Sequence, residues 1–243
     1  MDTGYHINGI FIGCPTVADD VALLSDDTVD LQIMLNVSDG YSKQNRYPLN
    51  ATKSLVNIKS TNSARKKESA FHEWYLGDSM LPVAEEYTHV GVDRFSNQAK
   101  KSLTERRISI ARRTSYALLG CGLHGTNGLN PLVSMKIYQT YILPRLLYGL
   151  ESVILKKSEI DELSTYHKNF LRRIQGLPTS TAIEAVYLLI GALPIDAYLH
   201  LQLLSTIGVI ARSENDTMIH LFKMQCKSQS LTVNTSWFVY AAS

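Results

Sequence analysis

The sequence predicts an α+β unit, an antiparallel sheet with a helix, followed by an all-helical domain. Three observations lead there. Short apolar runs punctuated by turn residues surround one helical stretch over residues 1–95. After Phe95 the apolar spacing becomes helical and stays so, with Asn-Pro, Gly and Pro marking the ends of the stretches. The charge is divided as well: residues 1–40 hold seven aspartates and no Lys or Arg, whereas residues 100–113 hold six basic residues against Glu105. A net charge of +2 over 243 residues therefore conceals two opposed blocks, one suited to a cation and one to an anion.

Composition narrows the class. At 45% hydrophobic and 19% charged the chain is globular, which excludes wholesale disorder. No apolar run reaches the length of a membrane span, and Met1-Asp2-Thr3-Gly4-Tyr5 lacks the basic leader and apolar stretch of a secretory signal. Cys14, Cys121 and Cys226 are odd in number and far apart, which fits neither a disulfide framework nor a zinc motif. The seven histidines show no metal spacing. A reducing, intracellular setting is expected.

Taken in order, Tyr5–Gly13 carries Asn8-Gly9 between β-prone segments, a hairpin signal. Thr16–Ala18 and Val21–Leu24 read as two strands with Asp19-Asp20 at their connection. Asp26-Asp27 offers an N-cap, and Val29, Ile33, Val37 and Tyr41 mark one face of a helix ending near Asp39-Gly40 or a turn later. Residues 47–54 form a loop entering a strand at Leu55–Ile58, and residues 60–69 form a polar connection with a basic cluster. Phe71–Leu76, before the Gly77-Asp78 turn, and Tyr87–Val92 are further strand candidates.

In the second half, residues 99–119 read as a helix with apolar Leu103, Ile110, Ala117 and Leu118, and with Arg106 and Arg113 two turns apart on another face. Gly120–Gly128 is a glycine-rich loop without the Lys-Ser/Thr ending of a phosphate cradle. Asn130-Pro131 starts a helix running toward Tyr148, with a kink expected near Pro144. Ser158 with Asp161 caps the next, whose apolar residues are Ile160, Leu163, Phe170, Leu171 and Ile174, and which Gly176 and Pro178 end. Thr181 and Glu184 cap a short helix through Ile190, and the last runs from about Ile195 to Ala211. Beyond Glu214 the tail reads as irregular, including Trp237–Tyr240.

Two stretches carry candidate chemistry. Adjacent carboxylates in an apolar run face desolvation and mutual repulsion, so Asp19-Asp20 is either a polar turn that sees water or a pair neutralised by a cation such as Mg²⁺. Lys100, Lys101, Arg106, Arg107, Arg112 and Arg113 are either a solvated face or a set of phosphate contacts.

The order of these features resembles the C-terminal half of a reverse transcriptase, most closely the non-LTR (LINE-type) retrotransposon enzymes, over roughly residues 4–212. Val17-Ala18-Asp19-Asp20 is similar to the family's metal-binding signature, with Val17 where an aromatic is usual. Asn50-Ala51-Thr52-Lys53-Ser54 resembles the next palm motif. Tyr87-Thr88-His89-Val90-Gly91-Val92 is similar to the strand that supports the primer end, with His89-Val90 where a Tyr-Leu-type pair is usual. The stretches RRISIARRTSYALLGCGLHGTNGLNP, YQTYILPRLLYGLE and LLIGALPI look like the helical thumb.

The resemblance implies a partial palm at 1–95, a thumb-like helical domain at 96–213 and a C-terminal tail at 214–243. It implies that Asp19 and Asp20 are catalytic ligands of Mg²⁺ (or Mn²⁺), and that Lys53 contacts the incoming deoxynucleoside triphosphate. The implied partners are an RNA template and DNA primer duplex, with no membrane, acting in nucleus or cytoplasm. Family enzymes take a further aspartate and the fingers from upstream, and only eighteen residues precede Asp19. The isolated chain is therefore expected to be inactive as a polymerase, and half a palm sheet is expected to leave apolar surface exposed. The alternatives are a non-catalytic nucleic-acid-binding module and a decayed retrotransposon remnant.

Overall fold

Among the described residues, hairpins and one long helix make up the chain as far as Phe95, and helices dominate from Leu103 onward. A computed structural model describes residues 3–60, 69, 71–95, 103–153 and 155–227, and the chain divides into two compact units, Met1–Lys100 and Lys101–Ser243. The mixed α+β character predicted for the chain is present. The expected antiparallel sheet is not continuous: among the described residues the strands form four separate two-stranded ladders. Their lengths, two to four residues, explain this, since each strand is little longer than the turn it flanks.

Strands β1 (His6–Ile7) and β2 (Ile10–Phe11) meet across Asn8-Gly9, both with positive φ (48° and 82°), the conformation that Asn-Gly adopts most readily. Strands β3 (Thr16–Val17) and β4 (Asp20–Val21) follow, then α1 (Thr28–Gln44). Asp27 caps α1 as expected, its carboxylate accepting from the Val29 and Asp30 amides at 2.7 and 3.2 Å, a contribution of about 1 kcal/mol. The face that reveals the helix in the sequence is not the face it buries. Val29, Ile33, Val37 and Tyr41 are 62%, 39%, 65% and 59% exposed, whereas Met34 and Leu35 are buried and Leu31 is half-buried. Leu31 and Leu35, one turn apart, lie against a small core of Val56, Trp74, Leu76 and Leu81.

Strands β5 (Trp74–Leu76) and β6 (Ser79–Leu81) turn at Gly77-Asp78. The first begins at Trp74, three residues later than the predicted Phe71. Gln32 of α1 grips β5 by both backbone groups of Tyr75, its amide donating to the carbonyl at 2.7 Å and accepting from the N–H at 3.0 Å. The strand expected at Leu55–Ile58 reduces to one parallel bridge between Val56 and Val83. The predicted strand Tyr87–Val92 is instead a hairpin of β7 (Glu86–His89) and β8 (Val92–Phe95), turning at Val90-Gly91 with φ of 50° and 68°. A β-branched residue rarely occupies that region, so the sequence hides the turn.

In the second unit α2 (Leu103–Leu119) buries Thr104, Arg107, Ile108, Ala111, Thr114 and Ser115. Ala117, an expected apolar position, is exposed. Helix α3 (Pro131–Ile137) starts where expected, the Asn130 side chain accepting from the Leu132 amide at 2.9 Å. The expected kink is a π-helical turn, Tyr138–Ile142, with the Leu143 amide reaching the Tyr138 carbonyl, before α4 (Leu143–Leu147). Pro144 lacks an N–H, and the wider turn accommodates that loss.

Helix α5 (Lys157–Ile174) begins before the predicted Ser158 cap: the Glu159 carboxylate accepts from the Lys156 amide at 2.8 Å. Helix α6 (Ile183–Ile190) has Ala182, not Thr181, at its N-cap, and Gly191 at φ 65° ends it. Helix α7 (Ile195–Ala211) keeps the predicted bounds. The tail expected to be irregular begins with another helix, α8 (Asp216–Lys227), which the Asn215 side chain caps by accepting from the Met218 amide at 3.1 Å. Trp237–Tyr240 lies outside the described residues, as does most of the 60–69 connection.

The core of this unit includes Ile108 and Ala111 of α2, Tyr138, Ile142 and Leu146, Leu163 and Ile174 of α5, and Ile195. Residues from the stretches 106–131, 138–151 and 188–195 thus share one core. The glycine-rich loop after α2 has a packing reason: a side chain at Gly125 would collide with the backbone of Gly176, where α5 ends. No single helix among the described residues is long and apolar enough to cross a membrane.

Candidate nucleic-acid interface and acidic hairpin

The acidic hairpin is fully solvent-facing. Val17 pairs with Asp20, so the two-residue turn is Ala18-Asp19, one residue earlier than predicted, and Asp20 opens β4 rather than sitting at the tip. Thr16 through Val21 are all exposed, which corrects the reading of this apolar run as buried. Ala18 holds a positive φ of 54°, a conformation that costs an L-residue about 1 kcal/mol. Among the described residues, no group of three or more His, Cys, Asp or Glu could close around a metal. Two carboxylates can hold Mg²⁺ when waters and substrate phosphates complete its shell.

Lys53 is exposed in the turn after α1. Its amide donates to the Asn50 carbonyl at 3.1 Å and to the Asn50 side chain at 3.2 Å, while Thr52 Oγ1 donates to that side chain at 2.7 Å. Asn50 therefore shapes the Asn-x-x-Lys-Ser loop, and the ammonium is left in solvent. A cleft of about 380 Å³ opens beside this loop, lined in part by Lys43, Arg46, Tyr47 and Leu49. Asp19, Asp20 and Lys53 are not among its walls.

The basic block behaves differently along its length. Lys100 and Lys101 lie outside the described residues. Arg106, Arg112 and Arg113 of α2 are exposed, with Arg113 two turns beyond Arg106 on the same side. Arg107 does not belong with them. It is 6% exposed, and its guanidinium lies 4.9 Å from the centroid of the Tyr148 ring. The reason is register: Arg107 shares the buried face with Thr104, Ala111 and Thr114, and a long apolar stem can be buried there while the cation rests on an aromatic face.

Two residues the sequence did not single out lie beside these arginines. Tyr116 is 60% exposed and follows Arg112 by four positions and Arg113 by three, so all three side chains are neighbours. Arg173, in the last turn of α5, places its guanidinium 5.8 Å from the Tyr116 ring centroid. The two helices are tied alongside by Ser115 Oγ and Tyr166 Oη at 2.9 Å. Burial pushes the Tyr166 phenol above its ordinary value, against the pull of the Ser115 hydrogen bond and of the Arg112 and Arg173 charges. Helical spacing from Arg112 could have found Tyr116; only tertiary packing brings Arg173.

No family model, no curated protein and no solved structure matches this chain.

Proposed function

We propose that the chain is part of a reverse transcriptase of the non-LTR type, and that on its own it binds an RNA–DNA duplex rather than copying one. The observation that carries this reading is the exposed arginine face of α2, where Arg106, Arg112 and Arg113 stand on one rigid helix. Arginine forks suit phosphate oxygens, and a helix spaces them along a backbone. Lys100 and Lys101 extend the same basic block in the sequence.

The polymerase ancestry rests on order and local geometry. An exposed Asp-Asp hairpin leads into a capped helix, then into a turn that presents Lys53. In that reading Asp19 and Asp20 supply carboxylates for Mg²⁺, Lys53 meets a deoxynucleoside triphosphate, and the cation would polarise the reacting phosphate. The apolar stripe left open on α1 fits a palm that is completed by other segments.

Binding is tested by fluorescence anisotropy of a labelled RNA–DNA duplex across a salt series. Affinity should fall steeply with salt, and the slope should shrink in an Arg112→Gln/Arg113→Gln chain. Undetectable binding at low salt would sink the duplex reading. Primer extension with Mg²⁺ or Mn²⁺ tests the other half: the chain alone should give no product, and robust synthesis lost in Asp19→Asn would show a complete polymerase instead.

A further inference from the structure

Tyr116 stands out because nothing in the duplex reading uses it. It is a large, 60% exposed aromatic ring, and its near neighbours include Arg112 and Arg113 on α2 and Arg173 on α5. Glu105, the carboxylate on this side of α2, lies about three turns away toward the N-terminus. Arg173 lies over the ring while leaving most of it open to solvent. The ring's position is defended from below: the residue before it, Ser115, is buried and bonded to both the Ala111 carbonyl at 2.7 Å and Tyr166 Oη at 2.9 Å.

A rigid aromatic ring among cations recognises one kind of nucleic acid better than another. The interior bases of a duplex are stacked on both sides and present no free face, so such a ring gains nothing from them. An unpaired base offers its π-face, and the flanking guanidiniums meet the phosphates on either side. We infer that Tyr116, backed by Arg173 and flanked by Arg112 and Arg113, is a stacking platform for an unpaired nucleotide, so that the chain prefers a duplex carrying a single-stranded overhang to a blunt one. This rests on the nucleic-acid reading above and names the form of ligand that this face selects.

The test uses the full chain and three labelled probes: a blunt RNA–DNA duplex, the same duplex with a short single-stranded overhang, and that overhang with abasic sites in place of bases. The overhang should tighten binding about tenfold over the blunt duplex, the lower range of what base–aromatic stacking contributes. The abasic overhang should lose that gain, because its phosphates remain and its π-faces do not. Tyr116→Ala should remove the gain while leaving blunt-duplex affinity unchanged, and Tyr116→Phe should restore it. A gain that survives Tyr116→Ala or the abasic change overturns the stacking platform while leaving duplex binding standing. Failure of all three probes to bind overturns both.

Discussion

Tyr138 and His167 are locked together inside the helical unit: Tyr138 Oη lies 2.6 Å from His167 Nδ1, with both residues fully buried. The other ring nitrogen, Nε2, lies 2.9 Å from the Leu193 carbonyl. A neutral imidazole satisfies this geometry with Nε2–H donating to Leu193 and Nδ1 accepting from the phenol. One side chain thereby ties the π-helical turn, α5 and the Gly191–Pro194 connection together. Burial drives the His167 pKa down to about 4 and also raises that of Tyr138.

The first prediction concerns pH. The folded pKa of His167 is depressed below the ordinary 6.5, so the unfolded chain takes up a proton between those values and the folded chain does not. Its contribution is fully present above pH 6.5 and is lost as pH falls toward 4, up to about 3 kcal/mol. Denaturant unfolding at pH 7 and pH 5 should show the loss, and His167→Gln should flatten it. Tyr138→Phe should cost about 1–3 kcal/mol at neutral pH by leaving Nδ1 unsatisfied. Equal stability at the two pH values would refute the assignment.

The second separates two arginines that adjoin in sequence. Arg107→Ala should lower the melting temperature, since it empties a buried site and removes the contact with Tyr148. Arg112→Gln with Arg113→Gln should leave melting unchanged and make the salt slope for duplex binding shallower by about 1.8. The reverse pattern would place the phosphate contacts on the wrong face of α2.

The third concerns the acidic hairpin. Asp19→Asn should change stability by less than about 0.5 kcal/mol, because the side chain is exposed. It should also leave duplex affinity nearly intact. Marked destabilisation in thermal unfolding would mean that the dyad is structural.

A fourth compares two turns of one chain. Asn8-Gly9 and Val90-Gly91 both have positive φ at their two central residues, but only the first uses the residue that tolerates it. Val90→Asn should stabilise the first unit by about 1 kcal/mol. No gain in denaturant midpoint would show that packing of Val90 offsets the backbone cost.

The fifth tests the glycine-rich loop. Gly125→Ala must displace the backbone at Gly176 and should cost about 1–3 kcal/mol. Unchanged melting would show that the loop has room to move.

Much of the helical unit was legible in the sequence because its signals are local. Asn130-Pro131, Gly176 and the span Ile195–Ala211 all act through their own backbone geometry, and the structure places them as expected. The misreadings have local causes too. Val90 imitates a strand residue while turning, and Asn215 is a cap that went unread before α8. Of the candidate site, the exposure of Lys53, Arg106, Arg112 and Arg113 agrees with their polar type, whereas Arg107 of the same block is buried and the apolar run around Asp19 is exposed.

The sequence by itself determined the division into an acidic α+β unit and a basic helical one, the caps at Asp27 and Asn130, the stops of most helices, and the presence of the Asp-Asp hairpin. Tertiary structure alone decided which face of each helix is inside. That choice turned Val29, Ile33, Val37 and Tyr41 outward, drew Arg107 inward against Tyr148, and set Arg173 over Tyr116. The physical reason is that periodicity states which residues share a face, whereas burial depends on what other segments bring to meet that face.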